Sequence, residues 1–471
     1  MVGLEVHARL ETTHKLFTPV PSRFAPEAPN RHVSPYCLGL PGVLPRLNED
    51  AVHCAARVAL ALGCTVHRES RFARKHYVYP DLPKGYQITQ ADQPLATDGQ
   101  LSLPLTGPGP ARVIRVARVH LEEDAAKTVE LENGRTGIDF NRAGVPLVEI
   151  VTHPDLRSGA EAAAALRELR AILLALGASD GSPERGSLRC DANVSVRRRG
   201  DAALGVRCEV KNVSGFRYVA RAIEVEAERQ RGLQASGRAV APETRGFDAP
   251  RGTTYRLRSK EAAPDYRFMP DPDLPALRLE AAAIEDLRRG LPELPAARRA
   301  RWRAAGLPAE PAVAFAADPE LADAFDAAAA RRPEHILTVG NLFKTEVLRR
   351  VGEDRAALAR LDAGAMAELI DLEAEGRISK TQQKTMLDAL LTGAAASVTA
   401  ALAQAGGEAV RDRDQLMRWV DDALRDHAEE AQIYRSGKTK VLGRLVGEVM
   451  KRSGGRADPK LVKALLLARL E

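Results

Sequence analysis

The sequence is poor in the features that mark membrane and secreted proteins. Aromatic residues make up only 4% of its 471 residues, and no stretch approaches the roughly 20 uninterrupted apolar residues that a membrane span needs. The five cysteines, Cys37, Cys54, Cys64, Cys190 and Cys208, are odd in number and lack the spacing of a disulfide framework. Charge appears almost at once in the first residues, so we expect no signal peptide. These features predict a cytoplasmic protein with reduced thiols.

Several common nucleotide-, metal- and amide-handling motifs are also missing. No Gly-x-Gly-x-x-Gly opens a helix after a strand. Ser-Gly-Lys-Thr at 436–439 ends like a P-loop, but Gln432 stands where that motif requires glycine, and no strand precedes it. Cys37 has Ser34 three residues before it, so there is no Cys-x-x-Cys half-site. No cysteine stands in a glutaminase context, and no Gly/Ser-rich amidase pattern occurs.

The charge of the chain is unevenly placed. The net charge is +6, yet residues 431–471 contain ten Lys or Arg and three acids, so that segment alone carries +7. A basic end of this kind fits a surface that meets phosphate. An ordinary solvated helical face is the alternative explanation.

The pattern of predicted secondary structure changes near residue 280. Length alone suggests about three domains. Before residue 280, short alternating runs and turn residues predict strands, with helices at 49–62, 159–176 and 218–230 and a loop at 234–248. Afterwards the sequence predicts helices only, at 294–305, 319–330, 334–351, 362–375, 380–391, 413–430, 440–452 and 459–470. We therefore predict an α+β protein with an N-terminal domain (1–280), an all-helical domain (281–395) and a small all-helical tail (396–471).

The strongest chemical signal is a set of acids inside apolar strands. In Pro-Leu-Val-Glu-Ile-Val at 146–151 a lone carboxylate, Glu149, lies in a β-branched run, and a buried carboxylate is costly unless a cation or several donors meet it. The opening Val-Gly-Leu-Glu-Val-His repeats the pattern, and its alternation places Glu5 and His7 on one face. That spacing suits two groups aimed at a shared centre. For any one such acid, a salt bridge or a polar sheet face is the alternative.

A hairpin adds further charged residues. The segment 187–196 alternates strictly, and 205–211 alternates in the same way after a charged loop that contains glycine. We expect an antiparallel hairpin whose outward face carries Arg189, Asp191, Arg207, Glu209 and Lys211. Considered alone, the hairpin is explained equally well as a solvent-exposed sheet face whose charged residues form ion pairs.

A third acidic segment, His-Leu-Glu-Glu-Asp at 120–124, follows a strand that we predict at 112–119. Together the three segments offer many carboxylates and few nitrogens, a ligand set that suits magnesium better than zinc. Magnesium in such a setting bridges nucleotide phosphates. Arg142, Arg189 and Lys211 are candidates to neutralise charge on a transferring phosphoryl group.

Taken together, these motifs resemble a known family. They include Gly-Leu-Glu-Val-His at 3–7, Leu-Gly-Leu-Pro-Gly-Val-Leu-Pro at 38–45, Tyr-Pro-Asp-Leu-Pro-Lys-Gly-Tyr-Gln-Ile at 79–88 and His-Leu-Glu-Glu-Asp-Ala at 120–125. The most specific is Asp-Phe-Asn-Arg-Ala-Gly-Val-Pro-Leu-Val-Glu-Ile at 139–150. The chain is similar over its whole length to the B subunit of the glutamine-dependent aspartyl-tRNA(Asn)/glutamyl-tRNA(Gln) amidotransferase.

The resemblance implies a fold, a reaction and partners. The expected N-terminal catalytic domain is similar to glutamine synthetase and guanidino kinases, and the helical tail contacts tRNA. The family uses ATP to phosphorylate the side-chain carboxylate of Glu-tRNA(Gln) or Asp-tRNA(Asn), and ammonia then displaces the phosphate. A separate amidase (glutaminase) subunit supplies the ammonia, and a small third subunit completes a heterotrimer. The complex is a ligase that acts in protein biosynthesis (translation).

The resemblance also implies site residues. Family magnesium ligands match Glu5, His7, Glu123, Glu149, Asp191 and Glu209, of which Glu123, Glu149 and Asp191 are the expected catalytic residues. Lys75 and Lys84 match positions near the ammonia passage.

Two departures from the family pattern are visible. Some relatives carry Cys-x-x-Cys where this chain has Ser34 and Cys37, so we expect no structural zinc. Phe268-Met269 replaces an aromatic pair, a change expected to alter packing more than chemistry. Two other functions stay open at this point: a tRNA-binding scaffold whose partners do all the catalysis, and a free-standing small-molecule kinase or ligase that works without tRNA.

Overall fold

The chain forms two units, Met1–Arg299 and Ala300–Glu471. The computed structural model describes residues 1–25, 28–104, 112–131, 134–213, 215–259, 266–352 and 355–470. The first unit combines strands and helices and the second is helical, in agreement with the α+β prediction. None of the described helices is both long enough and apolar enough to cross a membrane.

The first unit is built on a nine-stranded sheet with the order β14-β13-β12-β11-β1-β10-β7-β6-β2. All of its neighbouring strands are antiparallel except β12 and β13. The strands of the unit are β1 Val2–Arg9, β2 Thr65–Val66, β3 Glu69–Ser70, β4 Ala73–His76, β5 Tyr86–Thr89, β6 Ala96–Ser102, β7 Val113–Glu123, β8 Lys127–Glu130, β9 Thr136–Asp139, β10 Pro146–Thr152, β11 Leu188–Val194, β12 Cys208–Val213, β13 Glu243–Asp248, β14 Thr253–Ser259, β15 Met269–Pro270 and β16 Leu277–Arg278.

Helices cover one face of this sheet. They are α1 Glu49–Ala61, α2 Gly159–Ala175 and α3 Phe216–Ala235. Helix α4 Ala281–Arg289 follows, and α5 Pro295–Ala304 extends across the boundary between the two units. Asn48 and Ser158 begin α1 and α2 by accepting hydrogen bonds from backbone N–H groups of the first turn, which would otherwise lack partners. Apolar residues of α1, α2 and α3 pack against alternate residues of the central strands in one continuous core. The other face of the central strands is therefore free to carry polar groups.

The second unit contains two hydrophobic cores, one from Trp302 to Ala401 and one from Leu416 to Leu470. Its helices are α6 Ala309–Ala316, α7 Pro319–Arg331, α8 Ile336–Leu342, a π-helical turn Phe343–Val347, α9 Leu348–Val351, α10 Ala363–Ala374, α11 Lys380–Thr392, α12 Val398–Gln404, α13 Arg413–Asp426, α14 Ala428–Arg435, α15 Leu442–Arg452 and α16 Pro459–Leu470. Short 3-10 turns occur at Pro333–His335, Arg355–Arg360 and Thr439–Val441. The division into three domains at 280 and 395 stays a prediction.

The structure differs from the local predictions in three respects. The strand predicted at 112–119 continues to Glu123, so the acids of the 120–124 segment lie mostly inside β7 rather than after it. The segment 234–248, predicted as a loop, contains β13. Helices α4, α6 and α12, which are only seven to nine residues long, were not predicted from the sequence. Short helices show too few turns for a clear apolar period.

Candidate active site

The middle of the sheet aligns the charged residues that the sequence singled out. Strand β1 lies between β10 and β11, and its register places Glu5 opposite Asp191 and His7 opposite Glu149. Because neighbouring side chains alternate between the two faces of a strand, Glu5 and His7 share one face while Val6 points into the core. Glu149 in turn lies opposite His120 of β7. The polar face thus runs across four adjacent strands.

The first cluster consists of His7, Glu122 and Glu149. His7 Nε2 lies 3.3 Å from Glu122 Oε1 and 3.2 Å from Glu149 Oε2. One ligand atom from each of the three residues can be enclosed within 4.8 Å. His120 Nε2 lies 3.3 Å from the same Glu149 oxygen, and its buried Nδ1 has no hydrogen-bond partner among the described residues. Both carboxylates are buried, so this cluster concentrates negative charge out of water.

The electrostatics of this cluster favour positive charge. Burial opposes protonation of His7, but the carboxylates of Glu122, Glu149 and Asp191 outweigh burial and raise the pKa of His7 to about 9. Burial raises the pKa of Glu122. For Glu149 burial acts in the same upward direction, but the two imidazoles outweigh it and hold its pKa well below the usual value. An environment that stabilises a charged imidazole meets the electrostatic requirement of a cation site.

The second cluster consists of Glu5, Asp191 and Glu209, whose ligand atoms also lie within 4.8 Å of one another. Lys211 Nζ lies 3.0 Å from Asp191 Oδ2 and 3.2 Å from Glu209 Oε1. Burial opposes the charge on Lys211, but the two carboxylates outweigh burial and raise the pKa of its ammonium. Asn193 Nδ2 donates to Glu5 Oε1 at 2.8 Å. Two of the three carboxylates contact the Lys211 ammonium, so this chain itself supplies compensating charge to the second cluster.

The two clusters are neighbours because β1 contributes to both. Glu5 and His7 are two residues apart on the same face, which corresponds to about 7 Å along a strand. Five of the six residues that the resemblance marks as magnesium ligands lie in these clusters: Glu5, His7, Glu149, Asp191 and Glu209. Glu122 and His120 belong to the acidic segment 120–124 noted in the sequence, but the resemblance assigned the ligand role there to Glu123. Their signal was the continued alternation of β7 through residue 122.

Glu123, the sixth of these residues, lies in a different environment. Its carboxylate accepts hydrogen bonds from Tyr36 Oη at 3.1 Å and from the Ile88 backbone N–H at 3.1 Å. It also forms an ion pair with Lys84, whose Nζ donates to Tyr36 Oη at 2.7 Å. Glu122 and Glu123 are adjacent in β7 and therefore alternate between faces, so Glu122 is the one that joins His7.

The other basic candidates divide between Asp124 and an aromatic patch. Arg189 pairs with Asp124, which raises the pKa of the guanidinium. Arg142 lies 3.5 Å from the same carboxylate and donates to the backbone carbonyls of residues 125 and 126 at 2.9 and 2.6 Å. Lys75 Nζ lies 5.0 Å from the ring centre of Tyr266. Arg142 and Arg189 thus meet at one acid, Lys211 lies in the second cluster, and Lys84 lies beside Glu123.

The pair that replaces a Cys-x-x-Cys lies beside a buried lysine. Ser34 Oγ and Cys37 Sγ are 3.5 Å apart, and Lys15 Nζ lies 3.5 Å from the same sulfur. Lys15 also donates to the backbone carbonyl of His32 at 2.7 Å, and burial lowers its pKa. A cationic side chain therefore contacts this thiol directly. The expectation of no zinc stays a prediction.

Comparison with known proteins identifies the family. Residues 1–285 match the family described as GatB/GatE catalytic domain, and residues 323–470 match the GatB domain. Curated relatives include the aspartyl/glutamyl-tRNA(Asn/Gln) amidotransferase B subunit of Anaeromyxobacter sp. (strain Fw109-5), 45% identical over 100% of this chain and 98% of the relative. The proteins of the same name from Oleidesulfovibrio alaskensis and Moorella thermoacetica are 44% and 45% identical over 100% of this chain and 98% and 99% of theirs. This chain belongs to the family of aspartyl/glutamyl-tRNA(Asn/Gln) amidotransferase B subunits.

Proposed function

We propose that this chain uses ATP to activate the side-chain carboxylate of Glu-tRNA(Gln) or Asp-tRNA(Asn) for amidation within a tRNA-dependent amidotransferase. The observation that carries this proposal is the pair of acid clusters that lie side by side along β1. A carboxylate is a poor acyl donor because its leaving group would be oxide. Phosphorylation by ATP supplies a good leaving group, and ammonia then forms the amide as phosphate departs.

The donor atoms of both clusters fit magnesium. The second cluster offers carboxylate oxygens only, and the first offers two carboxylates and one imidazole, a set that hard divalent cations accept. We propose Glu5, Asp191 and Glu209 for one cation, and His7, Glu122 and Glu149 for another. Bound magnesium offsets the repulsion between the phosphates of ATP and the substrate carboxylate.

The basic residues around the clusters have roles that follow from their positions. Lys211 already contacts Asp191 and Glu209, so it can turn to a phosphate oxygen when those acids hold a cation. Arg189 and Arg142, which share Asp124, are proposed to neutralise charge on the transferring phosphoryl group. Glu149 and Asp191 are proposed as catalytic residues through their places in the clusters.

Glu123 is proposed as the third catalytic residue, in a role that differs from cation binding. Its ion pair with Lys84 is buried beside the hydroxyl of Tyr36. A buried carboxylate beside a hydroxyl can bind an incoming ammonium ion through its charge and hydrogen bonds, and the ammonium ion must lose a proton before ammonia can attack. We therefore propose that Lys84 and Glu123 lie on the ammonia passage, with Lys75 further along it.

Partners complete the reaction. The sequence contains no glutaminase motif, so we propose that a separate amidase (glutaminase) subunit releases ammonia from glutamine and that a small third subunit completes a cytoplasmic heterotrimer. The basic C-terminal tail is proposed to contact tRNA. We also propose that the sheet unit has a glutamine synthetase/guanidino kinase fold and that the chain divides into domains at about residues 280 and 395.

A substitution in the second cluster tests the proposal. Asp191→Asn keeps the size of the side chain but removes one negative charge from the Glu5, Asp191 and Glu209 set. In the assembled complex we expect ATP hydrolysis and amidation to fall about 100-fold or more, while tRNA binding persists. Asp92→Asn, at an exposed acid away from the clusters, is the matched control and should leave turnover unchanged. Wild-type ATP turnover by the Asp191 variant would contradict the proposal and favour a scaffold.

A further inference from the structure

The second acid cluster is contacted by a hydroxyl group from a strand that the sequence analysis did not predict. Thr244 lies on β13, within the segment 234–248 that was predicted as a loop. Strand β13 pairs in parallel with β12, and the register places Thr244 beside Glu209. The Thr244 hydroxyl donates a hydrogen bond to Glu209 Oε2 at 3.1 Å. A residue outside the cluster therefore holds one of its three carboxylates.

The next residue along β13 fixes the direction in which Thr244 points. Arg245 turns to the side of the sheet that the helices cover, where its Nε lies 3.3 Å from Glu226 Oε2 of α3. Because successive side chains of a strand alternate between its two faces, this anchor directs Thr244 toward the acid clusters. Thr244 is only 1% exposed. Solvent therefore does not compete with Glu209 for its hydroxyl.

Thr244 and Lys211 contact different oxygens of Glu209. Lys211 Nζ lies 3.2 Å from Oε1, whereas Thr244 donates to Oε2. Lys211 competes with a cation for the acids because it carries positive charge itself. The Thr244 hydroxyl is neutral, so it can retain Oε2 while Oε1 exchanges the ammonium for a cation. The hydrogen bond thus keeps Glu209 in place during that exchange.

A neutral donor also holds a second acid of the cluster. Asn193 lies opposite Glu209 on β11, and its Nδ2 donates to Glu5 Oε1 at 2.8 Å. Strands β11 and β13 flank β12, so one such donor lies on each side of the strand that carries Glu209. Outer donors of this kind orient metal ligands, and their loss lowers metal affinity by about 10- to 100-fold.

We propose that Thr244 is a positioning residue of the second cluster, whose hydroxyl fixes Glu209 in the orientation that binds magnesium. The inference rests on the proposed function, because it takes magnesium as the cation of the Glu5, Asp191 and Glu209 set. The alternative is a purely structural hydrogen bond, which would contribute to folding and not to cation affinity.

The test is calorimetric magnesium binding by the assembled complex, together with the magnesium dependence of its ATP turnover. Thr244→Val keeps the shape of the side chain and removes the hydroxyl. We expect the magnesium dissociation constant to rise about tenfold or more, while turnover at saturating magnesium changes much less. Thr244→Ser keeps the hydroxyl and should retain the wild-type affinity.

Thr254→Val is the matched control. The Thr254 hydroxyl donates to a carboxylate outside the clusters, Glu226 Oε2, at 3.0 Å. Its removal should lower the thermal midpoint without changing magnesium affinity. This control separates the loss of a buried hydrogen bond from the loss of a positioned ligand.

A double-mutant cycle with Asp191→Asn identifies the cation position that Thr244 serves. Asp191→Asn should remove the magnesium binding that belongs to the second cluster, so adding Thr244→Val should cause no further loss of affinity. Wild-type affinity in Thr244→Val, or an equal loss in Thr244→Val and Thr244→Ser, would overturn the inference. Failure of the proposed function looks different, because Asp191→Asn would then leave magnesium binding and ATP turnover unchanged.

Discussion

Replacing Lys211 with methionine should make the stability of the first unit depend on divalent cations. The ammonium of Lys211 lies 3.0 Å from Asp191 and 3.2 Å from Glu209, and Glu5 completes the acid cluster. Without the ammonium, three carboxylates would face one another with no compensating charge from Lys211. A cation that binds between them would then take over the role of the lysine.

The size of the effect follows from these contacts. At an effective dielectric of about 20, each ion pair at this distance corresponds to about 5 kcal/mol of Coulomb attraction before desolvation is counted. The Lys211 side chain is 32% exposed, so solvent screening and desolvation remove most of that attraction. We expect Lys211→Met to lower the free energy of unfolding by about 2 kcal/mol without divalent cations. Magnesium at a hundred times its dissociation constant contributes about 2.7 kcal/mol, which is enough to restore the loss.

Thermal and chemical unfolding with and without magnesium measure this dependence. We expect the deficit of Lys211→Met to shrink toward zero as magnesium rises, and its magnesium affinity to exceed that of the wild-type chain. Lys127→Met, at an exposed lysine of β8, is the control and should change stability by less than about 0.5 kcal/mol in either condition. A deficit of equal size with and without magnesium would refute the reasoning, because the cluster would then not be a cation site.

Three further predictions concern other parts of the chain. A side-chain hydrogen bond from Arg115 lowers the pKa of Asp155 from 3.8 to about 2. This pair therefore stabilises the fold above about pH 4, and its contribution is lost as the pH falls toward 2. Asp155→Asn should remove this pH dependence and lower the free energy of unfolding above about pH 4 by about 1 kcal/mol after screening. Gly159→Ala would place a methyl group 2.2 Å from the carbonyl oxygen of Ala220 and should lower the free energy of unfolding by about 2 kcal/mol. Gly232→Ala, in open space on α3, should instead raise the free energy of unfolding by about 0.5 kcal/mol. Lys438→Gln/Lys440→Gln, at two exposed lysines of the tail, should weaken tRNA binding and reduce its salt dependence; equal binding at low salt would argue against a tail contact.

Local alternation predicted much of the site. The placement of Glu5 and His7 on one face, and the hairpin that presents Asp191 and Glu209, both follow from strand periodicity. Helix positions were also readable where apolar residues recur at spacings of three and four, as in α2. These features are encoded within a few residues, so a single sequence suffices to recover them.

Features that depend on distant contacts were not readable in this way. The sequence does not state that β1 lies between β10 and β11, which is what brings Glu5 to Asp191 and His7 to Glu149. Because β7 was predicted to end at Val119, the alternation that places Glu122 in the first cluster was not recognised. The burial of Glu123 against Lys84 depends on a loop about 40 residues away in the chain, for which no local pattern exists.

The shared use of β1 has a consequence for how the two proposed cation positions vary. Their separation is set by the rise of one extended backbone between Glu5 and His7, not by the length of a loop. Substitutions can therefore change the affinity of either position without changing the distance between them. A shift of β1 by one residue would turn both Glu5 and His7 into the apolar core at once, so the two positions are gained or lost together.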